Sequence, residues 1–229
     1  MRILIFINFI LISCSSQQVN NSTMAQQENS TSYLALGDSY TIGEAVDEQL
    51  RWPVQLAAKL SKNEFNVDDP RIIATTGWTT DELKAAIEAA EIDKQYGMVS
   101  LLIGVNNQYR DYPISQYEKE FTELLDMAVR FSFKGASRVF VVSIPDYGVT
   151  PFGQEKDPQK IATELDQYND IAKAIAAEKG AVFINITDIS KGAANDEELV
   201  ASDGLHPSGK MYTQWVERIY PEVEALLKD

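Results

Sequence analysis

Five short runs of the chain, at 33–36, 71–75, 98–103, 139–144 and 181–186, carry the composition of buried strands. Between them lie stretches whose apolar residues recur every three or four positions. These are Trp52, Leu56 and Leu60; Leu83, Ile87 and Ala90; Tyr117, Phe121, Leu124 and Ala128; and Ile161, Leu165, Tyr168, Ala172 and Ile175. A last helical stretch carries Tyr212, Trp215, Ile219 and Val223, and Pro221 inside it predicts a kink or a restart. Pro53 suits the first turn of the first helix, Thr80 is placed to cap the second, and Gly180 ends the fourth. Strand and helix alternate throughout, which predicts an α/β domain with a parallel sheet between helical layers. The third run is apolar except for Ser100, as expected of a strand covered on both faces.

The front of the chain is built differently. Met1-Arg2 precedes residues 3–12, which are apolar except for Asn8. That run is about half of the roughly 20 residues a membrane-spanning helix needs, and it reads as a secretory signal peptide over 1–13. Leu11-Ile12-Ser13-Cys14 resembles the lipobox of bacterial lipoproteins. The resemblance implies lipidation at Cys14 and a place in the bacterial cell envelope, facing the periplasm or the outer membrane. Residues 14–32 are dominated by Ser, Gln, Asn and Thr and read as a flexible tether, leaving 33–229 as the domain. Cys14 is the only cysteine, so the domain rests on packing without an internal disulfide. A net charge of -14 disfavours nucleic acid as a partner, and membrane contact is expected through the lipid.

Four loops at the ends of the predicted strands carry the chemistry. Gly37-Asp38-Ser39 follows the first strand, Thr76-Gly77-Trp78 the second, and Gly104-Val105-Asn106-Asn107 the third; Asp203-Gly204-Leu205-His206-Pro207 comes after the fifth. Right-handed connections gather these loops on one edge, where open parallel sheets hold their ligands. A serine hydroxyl needs a base to become a nucleophile, and His206 is the only histidine. Asp203, three residues earlier, is within reach to orient the imidazole. A carboxamide such as Asn106 is a fixed donor for a developing oxyanion, joined by backbone amides near Ser39 and Gly77. Taken singly, each block reads as readily as turn chemistry or an ordinary surface histidine.

Together and in this order, the blocks resemble those of the SGNH (GDSL-type) esterase and lipase superfamily, over residues 33 to about 207. The resemblance implies a three-layer α/β/α, flavodoxin-like sandwich of about five parallel strands. It implies Ser39 as nucleophile, His206 as base, Asp203 as its partner, and Ser39, Gly77 and Asn106 as the oxyanion hole. The implied activity is hydrolysis of a small-molecule, lipid or glycan ester through an acyl-enzyme, without a metal or other cofactor. The family commonly has Asp after the Asn of its third block, where this chain has Asn107. Asp38, Asn107, Tyr109, Arg110 and Tyr147 are candidates to position substrate, and Tyr147 and Phe152 to wall an acyl pocket; they read equally well as ordinary loop residues.

A single histidine argues against a metallophosphoesterase. The chain has no GxSxG elbow, GxGxxG turn or P-loop lysine motif. The competing expectation is a surface-tethered glycan- or lipid-binding protein of the same fold that does not turn over.

Overall fold

The computed structural model describes residues 30–63 and 65–228. The predicted signal peptide, Cys14 and most of the predicted tether lie outside the described residues. Strands β1 (Tyr33–Gly37), β2 (Arg71–Ala74), β3 (Met98–Leu102), β4 (Val139–Val142) and β5 (Val182–Ile184) form one sheet in the order β2-β1-β3-β4-β5. Every pairing is parallel. This is the flavodoxin-like order, in which the chain reverses direction across the sheet between β1 and β3. The three inner strands are buried along their whole length, while β2 and β5 are partly exposed. That is why 98–102 and 139–142 read as unbroken apolar runs, whereas β2 opens on the exposed Arg71.

Helices α1 (Ser39–Ile42), α2 (Trp52–Lys62), α3 (Thr80–Ala89), α4 (Val105–Tyr109), α5 (Ile114–Phe131), α6 (Pro151–Gln154), α7 (Pro158–Lys179), α8 (Thr187–Lys191) and α9 (Gly209–Lys228) complete the domain. Right-handed crossovers put α2 on one face of the sheet and α3, α5 and α7 on the other, since the chain moves outward once and then back across. The contacts agree: α9 packs along α2, α3 against α5, and α5 against α7. Trp52, Leu56 and Leu60 of α2 meet Trp215, Ile219 and Val223 of α9 in a core where each is at most 1% exposed. Trp52 stands edge-on to Phe140 of β4, which ties this helical layer to the middle of the sheet.

Three local expectations are corrected. Thr79, not Thr80, caps α3, through a reciprocal box in which Thr79 N donates to Glu82 Oε2 at 2.9 Å. Helix α9 runs continuously through Pro221, so the chain does not restart there. The carbonyl that loses its partner there belongs to Glu217, an exposed residue of the helix. The domain also begins before Tyr33. Thr31 N donates to Asn66 O at 2.6 Å and Met98 N to Ser32 O at 3.0 Å, so the last two residues of the predicted tether already pair with the sheet's neighbours. Among the described residues, no helix is long and apolar enough to cross a membrane.

Candidate active site

The buried strand β1 ends at Gly37, and the chain turns at once into α1, whose first residue is Ser39. Asp38 caps this turn, its Oδ1 accepting from Tyr40 N at 3.0 Å. Ser39 is 4% exposed and opens into a cleft of about 190 Å³ at the carboxyl edge of the sheet. Gly77, Asn106 and His206 line the same cleft. The four loops selected from the sequence therefore converge beside the β1/β3 reversal.

His206 and Asp203 form a local unit. Asp203 Oδ1 accepts the backbone N–H groups of Leu205 and His206, each at 3.0 Å. Its Oδ2 lies 2.6 Å from His206 Nδ1. A carboxylate can only accept, so Nδ1 carries the proton and Nε2 keeps its lone pair in the neutral ring. Partial burial pulls the Asp203 carboxyl up, but the bonds from the His206 ring and from the two backbone amides outweigh it and leave Asp203 below the ordinary carboxylate range. The ring of Tyr40 stands edge-on to the imidazole, with centroids 5.8 Å apart, and fixes its other side. The loop is closed by the Val200–Pro207 bridge and by Ala201 N donating to His206 O at 2.7 Å.

The Asn106 carboxamide is held as firmly. Its Nδ2 donates to Trp78 O at 2.9 Å, which engages one N–H and leaves the second for the cleft. Its neighbour Asn107 faces the other way and is wholly buried. Asn107 Oδ1 accepts from Thr80 N at 3.0 Å, and its Nδ2 donates to Thr80 Oγ1 at 2.7 Å. Where the family commonly has a carboxylate, this amide offers an acceptor to the start of α3 and adds a donor.

Three of the five residues expected to position substrate do not line the cleft. Asp38 and Asn107 are both 0% exposed, because β1 is covered on both faces and the one-turn helix α4 turns Val105, Asn106 and Tyr109 to the cleft and Asn107 to the start of α3. Arg110 is likewise absent from the cleft wall; its Nη2 donates to Gly77 O at 2.6 Å. Tyr109 and Tyr147 do line it, together with Phe152. These three rings form a triangle with centroids 6.1–6.4 Å apart, and Lys156 Nζ lies 4.8 Å from the Phe152 centroid. The Tyr147 hydroxyl is occupied by Gln108 Oε1 at 3.0 Å, so this residue presents its ring rather than its oxygen. Lys156 and Tyr40 were not among the residues selected from the sequence. The place of Tyr40 next to Ser39 is a signal for the second; none marks the first.

Asp38 has a further property. Its Oδ2 has no hydrogen-bond partner, and burial pushes the carboxyl up to about 7 against the pull of the Tyr40 and Gly104 backbone amides. A folded-state value above the unfolded one means that its stabilising share is complete below the ordinary carboxylate range and is lost as pH rises through about 7. Asp38→Asn cannot ionise. Urea midpoints at pH 4.5 and pH 8 are therefore expected to shift in favour of the variant, relative to the parent, as pH rises. A gap that stays constant would show that Asp38 does not titrate there.

A flavodoxin-like α/β domain thus carries a serine, a carboxylate-held histidine and a carboxamide at one edge of its sheet. The chain belongs to the GDSL-like lipase/acylhydrolase family, whose sequence profile matches residues 35–214. It is 30% identical over 148 residues to an acetylxylan esterase of Geobacillus stearothermophilus, across 58% of this chain and 62% of that protein. The aligned part is thus under two-thirds of the relative. Among solved structures, TesA superposes with a TM-score of 0.68 at 17% identity, covering 85% of this chain and 99% of that one. The esterase EstA from Pseudoalteromonas sp. gives 0.66 at 16% identity over 87% and 100%. The acetylxylan esterase Axe2 of Geobacillus stearothermophilus gives 0.64 at 21% identity over 84% and 94%. At these identities the structures speak for the fold, which is that of the SGNH hydrolases.

Among the described residues, no group of three or more His, Cys, Asp and Glu side chains converges as a metal site.

Proposed function

We propose that this family member hydrolyses short-chain carboxylic esters, and acetyl esters of sugars in particular, through an acyl-Ser39 intermediate. The observation that carries the reading is the 2.6 Å contact between Asp203 and His206 Nδ1, in the same cleft as Ser39. His206 Nε2 removes the Ser39 hydroxyl proton as Oγ bonds to the ester carbonyl carbon. The carbonyl oxygen takes up the charge and is met by the Ser39 and Gly77 backbone N–H groups and the free N–H of Asn106. The C–O bond to the alcohol then breaks, and the alcohol leaves with the proton held on His206. Water, deprotonated by the same nitrogen, releases the acid and restores Ser39.

Two features favour a small acyl group on a sugar alcohol. The curated relative is an acetylxylan esterase. The cleft also has a wall of three aromatic rings, of which Tyr109 is 47% exposed, matching the flat apolar face of a pyranose better than a flexible chain. The lipobox-like segment before Cys14 supports an exported, lipid-anchored form acting in the cell envelope.

p-Nitrophenyl esters of increasing acyl length test the substrate reading. kcat/KM is expected to be highest on acetate or butyrate and about tenfold lower or less by octanoate, as added methylenes outgrow the cleft. A rate that rises towards long chains would replace the sugar-acetyl reading with a lysophospholipase-like one.

A further inference from the structure

The loop that carries Gly77 is closed by its own Trp78 N to Thr75 O bond at 3.3 Å, by Thr76 Oγ1 to Glu44 and by Thr80 Oγ1 to Glu120, and three side chains of one short stretch of chain grip it as well. Asn106 binds Trp78 O, Asn107 binds both polar groups of Thr80, and Arg110 binds Gly77 O at 2.6 Å. All three come from α4 and the residue that follows it. The contact to Gly77 differs from the other two, because packing does not determine this part of the loop. Gly77 has a positive φ of 88°, and a Cβ built on it would meet a single neighbouring atom within 4 Å, Arg110 Nη2 at 3.7 Å. A glycine in such space has free rotation of both its peptide planes unless something grips them.

The guanidinium is itself well placed to grip. Its Nη1 lies 3.4 Å from Glu82, whose Oε2 is already bound by Thr79 N in the cap of α3. The Arg110 backbone is tied by its N–H to Asn106 O at 3.0 Å, and Asp111 then turns the chain away through a positive φ of 51°. Arg110 thus spans from the helix bearing one proposed oxyanion donor to the carbonyl of the residue bearing another.

We infer that Arg110 is a positioning residue of the oxyanion hole: by holding Gly77 O it fixes the Gly77–Trp78 peptide plane and, through the Gly77 Cα, restrains the preceding Thr76–Gly77 plane, whose N–H is the proposed donor to the developing charge. This rests on the proposed hydrolase reading. With Gly77 O released, the Gly77–Trp78 plane keeps only the 3.3 Å bond from Trp78 N to Thr75 O, the Thr76–Gly77 plane turns more freely, and a donor is lost from the hole for part of the time. Arg110 acts through Gly77 and does not touch substrate. Its contribution therefore falls on kcat and is the same whichever ester is bound.

The test uses the full-length protein with Arg110→Ala, Arg110→Lys, Asn106→Ala and Ser39→Ala, on p-nitrophenyl acetate and butyrate. Asn106→Ala sets the scale for losing a donor outright, on the order of 10²–10³ in kcat. Arg110→Ala is expected to lower kcat about 10- to 100-fold with KM within about threefold, by the same factor on both esters. Arg110→Lys, a single donor on a flexible stem, should recover part of the loss. Millimolar guanidinium should raise kcat of Arg110→Ala and leave Asn106→Ala unchanged. Thermal melting separates a folding defect, and the Lys variant and guanidinium rescue still decide the role if Arg110→Ala melts early. A raised KM at constant kcat, a loss that differs between esters, or wild-type kinetics in Arg110→Ala would overturn the assignment. Turnover surviving in Ser39→Ala would instead remove the hydrolase reading on which it stands.

Discussion

Ser39→Ala is expected to lower kcat on p-nitrophenyl acetate by about 10⁵- to 10⁶-fold, while the melting temperature moves little. The size of the effect follows from the proposed chemistry. Without the hydroxyl no acyl-enzyme forms, and what remains of the hole and the His206–Asp203 pair can only bind the ester and activate water poorly. The small structural effect follows from geometry. Ser39 begins α1, but the turn is capped by Asp38 and closed by the backbone bonds from Ile42 N to Asp38 O at 2.9 Å and Gly43 N to Ser39 O at 3.0 Å. None of these uses the serine side chain. Steady-state kinetics and a thermal melt on the same preparation check both halves. Loss of activity together with a collapsed melt would make the result a folding effect.

Gly104→Ala is expected to be strongly damaging to stability. Gly104 sits between β3 and α4 with φ of 128°, a conformation side chains rarely adopt. A Cβ there would come within 2.5 Å of Tyr117 Cε2 and 3.0 Å of Ile144 Cδ1. Tyr117 is fully buried, with the tilted rings of Tyr168 and Phe121 at centroid distances of 4.4 and 5.4 Å, so it has little room to move. Overpacking and backbone strain each contribute about 1–3 kcal/mol, together about 2–6 kcal/mol of destabilisation. For a domain of this size that is a fall in melting temperature of roughly 5–20 °C. Because α4 carries Asn106, activity should fall even at temperatures where the fold survives. A melt within about 2 °C of the parent would mean that the β3–α4 turn relaxes at little energetic expense.

What the sequence made legible was local or periodic. The strands that ended up in the middle of the sheet were readable because burial on two faces demands continuous apolar runs. The Asp203–His206 pair was readable because its partners are three residues apart, within one loop. Ser39, Gly77 and Asn106 were found because each lies just past a strand, where the fold collects its loops.

What was hidden depends on direction. Nothing in Gly104-Val105-Asn106-Asn107 says which amide of two adjacent asparagines meets solvent. The answer comes from Trp78 and Thr80, 28 and 27 residues away in sequence. Arg110 looked like a surface residue near a site, and its partner at Gly77 O lies 33 residues back. Asp38 looked as accessible as Ser39, yet one position along a doubly covered strand end turns it into the core. The cap of α3 was misplaced by one residue for a related reason: two threonines stand side by side, and only the position of Glu82 three residues on selects Thr79.

Whether Ser39 is the nucleophile of an ester hydrolase is tested by covalent trapping. The full-length protein would be treated with a fluorophosphonate while hydrolysis of p-nitrophenyl acetate is followed. The modified residue would then be located by peptide mass spectrometry. One adduct per chain is expected, on Ser39, formed in step with the loss of activity. Full labelling at another residue, or active protein in which Ser39 remains unmodified, would contradict it.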